Sequence, residues 1–168
     1  MKGFTLIELL VVITIVAISL LFAIPAFHSF ITSNRTLTQV NQLVAAINFA
    51  RSEAIKRHTT ITLCGSMDGH TCIDQWQKGW LVRIDKDNKV LRNYGAIPAR
   101  DQLVWRSSLA KSYLQMNPLG NTRGQDGRFI YCPATKNTQQ FMAVIISQSG
   151  RVRIARNDGS EGKLFDCS

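Results

Sequence analysis

The chain has 168 residues, of which 45% are hydrophobic and only 18% charged, leaving room for one small domain beside a membrane or targeting segment rather than for two packed domains. Twenty Lys and Arg against 11 Asp and Glu give a formal charge of +9 and a pI near 9.8, a bias toward anionic partners such as nucleic acid or lipid headgroups. With three His and neither an H-E-x-x-H nor a G-x-x-x-x-G-K-[ST] run, the commonest hydrolytic zinc and nucleotide signatures are missing, no cofactor is indicated, and the composition disfavours an enzyme.

From Leu6 to Ile24 the chain is apolar except for Glu8, Thr14 and Ser19. At about 1.5 Å of rise per residue this run spans a bilayer core of about 30 Å, so it reads as a transmembrane helix. A cleavable secretory signal is the alternative, with Ala26 near the cleavage site. Against it stand a positive region of Met1-Lys2-Gly3 alone, an apolar run longer than an ordinary signal core, and a carboxylate, Glu8, inside that run. A Glu in hydrocarbon is costly unless paired, which makes Glu8 a functional residue in search of a partner.

The run Lys2-Gly3-Phe4-Thr5-Leu6-Ile7-Glu8 resembles the prepilin processing motif of type IV pilins and type II secretion pseudopilins: a short basic leader ending in Gly, then Phe, then Glu at the fifth mature position. The resemblance implies cleavage after Gly3 by a prepilin peptidase and N-methylation of Phe4. It also implies that Glu8 serves filament assembly by neutralising the α-amino group of Phe4 on a neighbouring subunit, since opposite charges within an apolar bundle stabilise each other only in the correct register. Pro25 fits the same family, which commonly carries Pro at the twenty-second mature position, and it removes one helix hydrogen bond and permits a kink. Beyond it, Leu37, Val40, Leu43, Val44, Ile47, Ala50 and Ala54 recur at spacings of three and four, with Thr36, Gln39, Asn41, Asn48 and Ser52 between them. That is an amphipathic helix with an apolar face for a globular domain.

After Lys56-Arg57-His58 the pattern changes to short β-type runs bounded by turn residues. The expected strands are Thr60 to Cys64, Trp80 to Ile84, Val90 to Tyr94, Leu103 to Arg106, Tyr113 to Met116, Arg128 to Cys132, Phe141 to Ile146 and Arg151 to Ala155, with the apolar Phe141–Ile146 run at the centre. Turn residues such as Asn117-Pro118-Leu119-Gly120 and Gln148-Ser149-Gly150 separate them. Four cysteines beyond the apolar run suit disulfides in an oxidising compartment and allow three pairings. Cys64 with Cys72 and Cys132 with Cys167 is the favoured set; a zinc site using His70 is the rival, without the paired C-x₂₋₄-C spacing of structural zinc.

From residue 100 onward ten Lys or Arg stand against five Asp or Glu, so more than half of the net charge lies there. In Gln148-Ser149-Gly150-Arg151-Val152-Arg153-Ile154-Ala155-Arg156, a turn feeds a strand whose alternation puts Arg151 and Arg153 on one face and Val152 and Ile154 on the other as an apolar anchor. Residues two apart on one strand face are about 7 Å apart, close to the phosphate spacing along one DNA strand. Arg156 has the opposite parity and joins the patch only where the strand ends or twists. Trp76, Trp80 and Trp105 are candidates for base stacking, with Trp80 and Trp105 better explained as core.

Gly150-Arg151-Val152-Arg153 is similar to the G-R-x-R motif near the C-terminus of FimT-like minor pilins, which share a fold family with the pseudopilin GspH. The implied fold is α+β: a long N-terminal helix, membrane-spanning in its first half and amphipathic in its second, docked on a β-rich domain of two antiparallel sheets. The implied divisions are a leader (1–3), a transmembrane segment (4–25), an amphipathic continuation (26–57) and a periplasmic pilin domain (58–168). On this basis the protein is expected to be a minor type IV pilin, single-pass in the inner membrane and later part of a surface pilus. Its expected partners are the prepilin peptidase, other pilin subunits, membrane lipid before assembly, and DNA taken up in natural transformation. DNA is expected at Gly150, Arg151, Arg153 and Arg156, with Lys136 and Lys163 widening the patch. The alternative is a purely structural pseudopilin or assembly-priming subunit whose basic face meets an acidic neighbour. Paired Arg on a strand face is also a common guard for an exposed sheet edge.

Overall fold

The computed structural model of the chain describes residues 5–135, 138–157 and 165–167. One helix, α1, runs from Leu6 to Arg57 and continues through Pro25. Thr5 caps its start: the Glu8 backbone N–H donates to Thr5 Oγ1 at 3.3 Å, satisfying one of the unpaired amides of the first turn. Its end is closed by His58 in the left-handed region (φ 49°), with the Thr59 N–H donating back to the Ala54 carbonyl at 3.3 Å.

The chain divides into two compact units, one up to Arg35 and one from Thr36 onward. In the first, apolar side chains from Leu6 to Ile31 stand exposed around the helix. The hydroxyls within it turn inward on the backbone, Thr14 donating to the Val11 carbonyl and Ser19 to the Ile15 carbonyl, both at 2.8 Å, so neither needs water. The helix is long and apolar enough to cross a membrane and fits membrane anchoring.

In the second unit the helix buries one face. Val40, Leu43, Ile47, Ala50 and Ala54 are buried as the spacing predicts, and so are Ala46 and Thr36. Ala46, Ala50 and Ala54 recur every four residues, and their small side chains bring the helix axis close to what it packs against. All eight expected strands form, each boundary within one residue of its expected place: β1 (Ile61–Gly65), β2 (Trp80–Ile84), β3 (Val90–Tyr94), β4 (Gln102–Ser107), β5 (Tyr113–Met116), β6 (Gly127–Cys132), β7 (Met142–Ile146) and β8 (Val152–Arg156). They form two antiparallel sheets, ordered β3-β2-β1-β5 and β4-β6-β7-β8. β7 is an interior strand of the second sheet, and β8 is an edge.

A single apolar core joins the helix face to Ile61, Leu63, Trp80, Val82, Leu114 and Met116 of the first sheet and to Leu103, Phe129, Tyr131, Met142, Val144 and Ile146 of the second. The other face of the second sheet differs. Ile130, Cys132 and Ala143 are buried there outside the main core. The Cys132–Cys167 disulfide draws the C-terminal segment, with buried Phe165, to that side. The second disulfide joins Cys64 to Cys72. Both sulfurs of the rival zinc site are thereby spent on each other. In their loop Asp68 accepts the backbone N–H groups of Thr71 and His70 and the Thr71 hydroxyl, which hold its carboxyl well below the usual range.

Candidate nucleic-acid interface

The β7–β8 connection is a short hairpin in which the Gly150 N–H donates to the Ser147 carbonyl at 2.9 Å and the Ser147 N–H to the Arg151 carbonyl at 3.0 Å. Gly150 has φ +76°, and a Cβ there would lie 2.2 Å from the Gly120 carbonyl oxygen. Only glycine meets both conditions, so the glycine of the G-R-x-R run has a structural reason of its own: it lets the 147–150 turn press against the Asn117–Gly120 turn. Two bonds from Thr122, N–H at 3.0 Å and Oγ1 at 3.2 Å, tie the Gln148 carbonyl to the same loop. The Gln148 side chain and the Ser108 hydroxyl both donate to Asp126 Oδ1, at 3.3 and 2.9 Å. These bonds, Ser108 first and Gln148 second, lower the Asp126 pKa.

Arg151, Arg153 and Arg156 are all exposed, Arg151 at the mouth of the turn and the other two on β8. β8 ends at Arg156, the circumstance in which its opposite parity still leaves it at the rim. The expected apolar anchor holds only in part. Val152 packs against the core, but Ile154 is 40% exposed. The reason is position: β8 is the outermost strand, and at Ile154 its inner face lies past the edge of the packed core. Lys136 and Lys163 lie outside the described residues, as do Gly3 and Phe4. Glu8 is exposed in the first turn of α1.

The stacking candidates resolve differently. Trp76 and Trp80 are each 1% exposed and offer no face to a base. Trp105 is half-buried, stacked on Phe129 with ring centroids 4.3 Å apart, and donates its Nε1–H to the Lys111 carbonyl at 2.8 Å. Register adds two arginines that the sequence did not single out. Arg106 pairs with Arg128, Arg128 with Ile145, and Ile145 with Arg153, so three arginines share the outer face of the second sheet. Alternation within β4 and β6 points both outward, but their alignment with Arg153 depends on pairing between strands far apart in the chain.

One long N-terminal helix with two antiparallel four-stranded sheets and a hairpin-borne basic edge is a pilin-like α+β architecture. Residues 39–150 match the family model of the type II transport protein GspH, and residues 1–24 match the prokaryotic N-terminal methylation motif. The chain therefore belongs to the GspH family, one of structural pilins and pseudopilins rather than an enzyme class, for which peptidase processing and association with other pilin subunits follow. Two crystal structures of the type IV minor pilin FimU of Pseudomonas aeruginosa PAO1 share the fold. One is 21% identical with a TM-score of 0.59, covering 73% of this chain and 89% of that one. The other is 20% identical with a TM-score of 0.56, covering 71% and 91%. No curated protein matches the chain.

Proposed function

We propose that this protein is a minor type IV pilin that binds DNA through the phosphate backbone at the β7–β8 hairpin and assists DNA uptake in natural transformation. The observation that carries the reading is the G-R-x-R run on an exposed edge hairpin, braced by a close approach of turns that only glycine permits, with Arg151, Arg153 and Arg156 all reaching solvent. Guanidinium groups suit this task because they stay charged and pair with phosphate in a fork. Phosphate contacts position a duplex without reading its sequence, so binding is non-specific. Lys136 and Lys163 extend the contact. Cleavage after Gly3, methylation of Phe4 and pairing of Glu8 with the new amino terminus of a neighbour carry the subunit from a single-pass inner-membrane precursor, with residues 58–168 in the periplasm, into a surface pilus.

The family match supports a second reading, a GspH-like structural or assembly-priming subunit whose arginines face an acidic neighbour. DNA binding by the full-length chain in an uncharged detergent, titrated across salt beside an Arg151→Gln/Arg153→Gln variant, separates the two. The DNA reading expects a Kd of about 10⁻⁴ to 10⁻⁶ M at physiological salt, weakening steeply as salt rises and lost in the folded variant. Wild type that binds no DNA well above about 10⁻⁴ M, the weak end of that range, with a variant that fails only in assembly, establishes the structural reading instead.

A further inference from the structure

We infer that Arg106 and Arg128 continue the hairpin's phosphate track across the outer face of the second sheet, a proposal that rests on the reading of the hairpin as a DNA contact. The unbroken register Arg106–Arg128–Ile145–Arg153 sets these side chains in a line perpendicular to the strands, from edge strand β4 to edge strand β8. With strands about 4.8 Å apart, the line is about 14 Å long, and Arg128 stands about 10 Å from Arg153. At the spacing of about 7 Å between neighbouring phosphates of one strand, that length spans about two steps, or about three phosphates. Arg106 and Arg153 are exposed, and Arg128 is half-buried.

The neighbourhood supports a backbone track rather than a socket. The apolar part of this face, Ile130, Cys132 and Ala143, is buried, leaving the row beside the hairpin as its charged part. At the β4 end the row opens into a shallow cleft of about 280 Å³ lined by Trp105, Arg106, Lys111 and Asp74, where Lys111 adds one more cation and Asp74 one carboxylate. At the hairpin end Asp126 is held by Ser108 and Gln148. Each arginine bound to phosphate displaces a condensed counterion, so the number of contacts is read directly from salt dependence. Each phosphate contact adds about −0.9 to the slope of log K against log[salt], so Arg106 and Arg128 together add about −1.8 to what the hairpin cations give. Between 50 and 200 mM salt that increment is a further loss of affinity of about 12-fold.

The test is fluorescence anisotropy of the full-length chain in uncharged detergent with a short labelled duplex, at several salt concentrations. Arg106→Gln is expected to lower the steepness of the slope by about 0.9 and Arg106→Gln/Arg128→Gln by about 1.8, uniformly over duplex sequences. Arg106→Lys is expected to restore the slope, because a phosphate contact needs the charge more than the fork. If Arg128→Gln does not fold, the exposed Arg106→Gln and Arg106→Lys pair decides. An unchanged slope in Arg106→Gln, with binding still abolished by Arg151→Gln/Arg153→Gln, overturns the track and leaves the hairpin reading intact. The same unchanged slope with impaired filament assembly overturns it in favour of an acidic neighbouring subunit. Absence of any wild-type binding overturns both readings.

Discussion

The two faces of the β4-β6-β7-β8 sheet are built from the same four strands and serve opposite ends. Its inner face buries Leu103, Phe129, Tyr131, Met142, Val144 and Ile146 in the main core with the helix. Its outer face is divided between an apolar part, tied to the C-terminal segment through Cys132–Cys167, and a charged part carrying Arg106, Arg128 and Arg153. Because successive side chains point to opposite faces, each strand contributes to both, and a shift of one residue in register would put arginines in the core. The core therefore fixes the register, and the register in turn aligns the arginines. If the proposed DNA contact holds, stability and binding reside on opposite faces and should be separable by mutation.

The sharpest way to break the comparison is on the inner face. Phe129→Ala removes a fully buried ring that contacts Trp76 edge-on and Trp105 face-on, and it is expected to cost about 3–5 kcal/mol. By contrast Arg153→Gln, exposed on the outer face, is expected to shift stability by less than about 0.5 kcal/mol. Chemical denaturation of both variants at fixed detergent measures the difference. Comparable losses for the two would refute the division of labour. Next in size, Cys132→Ser/Cys167→Ser opens a link across a sequence separation of 35 and is expected to cost about 2–4 kcal/mol. It should cost more than Cys64→Ser/Cys72→Ser, whose separation is only 8, because the longer loop regains more chain entropy. It should also raise the binding of an apolar dye, as Ile130 and Ala143 lose part of their cover.

The inner face was legible in the sequence and the outer one was not, for a physical reason. Burial writes itself into local periodicity: Leu37 to Ala54 in the helix and the alternating apolar runs of β4 to β7 predicted the elements and most of the core. Membrane anchoring and processing were legible in the first 25 residues because they depend on consecutive residues. The arginine row depends on which strands lie side by side, and β4 pairs with β6 across β5, a connection that leaves no local trace. Ile154 shows the limit from the other side, since alternation assigned it inward and only the edge position of β8 explains its exposure. Polar residues drawn into the interior escaped as well. Asp101 is buried because it accepts from the Tyr131 hydroxyl and the Ala134 N–H, a pairing between loop and strand invisible in composition.

A smaller effect is expected where the faces meet at the hairpin. Gly150→Ala combines a left-handed φ with a Cβ 2.2 Å from the Gly120 carbonyl, and both are relieved by moving the turn. The expected cost is about 1–3 kcal/mol, confined to the hairpin. Hydrogen exchange should show faster opening at the Ser147, Gly150 and Thr122 amides, which donate within and onto the turn, while β6 stays protected. DNA affinity should fall although no cation is removed, because the arginines are no longer held together. A Gly150→Ala protein with full affinity and an unmoved hairpin would show that the glycine is dispensable to the site.

The smallest expected effect is also the most discriminating, because it moves stability and binding in opposite directions through one carboxylate. Asp126 precedes β6 by one residue, accepts from Ser108 and Gln148, and sits two residues from Arg128. Its folded pKa is lowered, so its contribution to stability is fully present above the ordinary carboxylate range and fades as pH falls through the depressed folded value. Asp126→Asn should therefore flatten the acid limb of the stability curve and lower stability slightly at neutral pH. The same change removes a negative charge beside the arginine row, so DNA affinity should rise, by less than the loss from removing one arginine. Asp68→Asn is the matched control: it too flattens the acid limb, since that carboxyl is lowered by Thr71 and His70, but it lies in the Cys64–Cys72 loop beside the first sheet and should leave DNA affinity unchanged. Equal gains in affinity from both substitutions would mean that DNA senses net charge alone and that no local track exists on the second sheet.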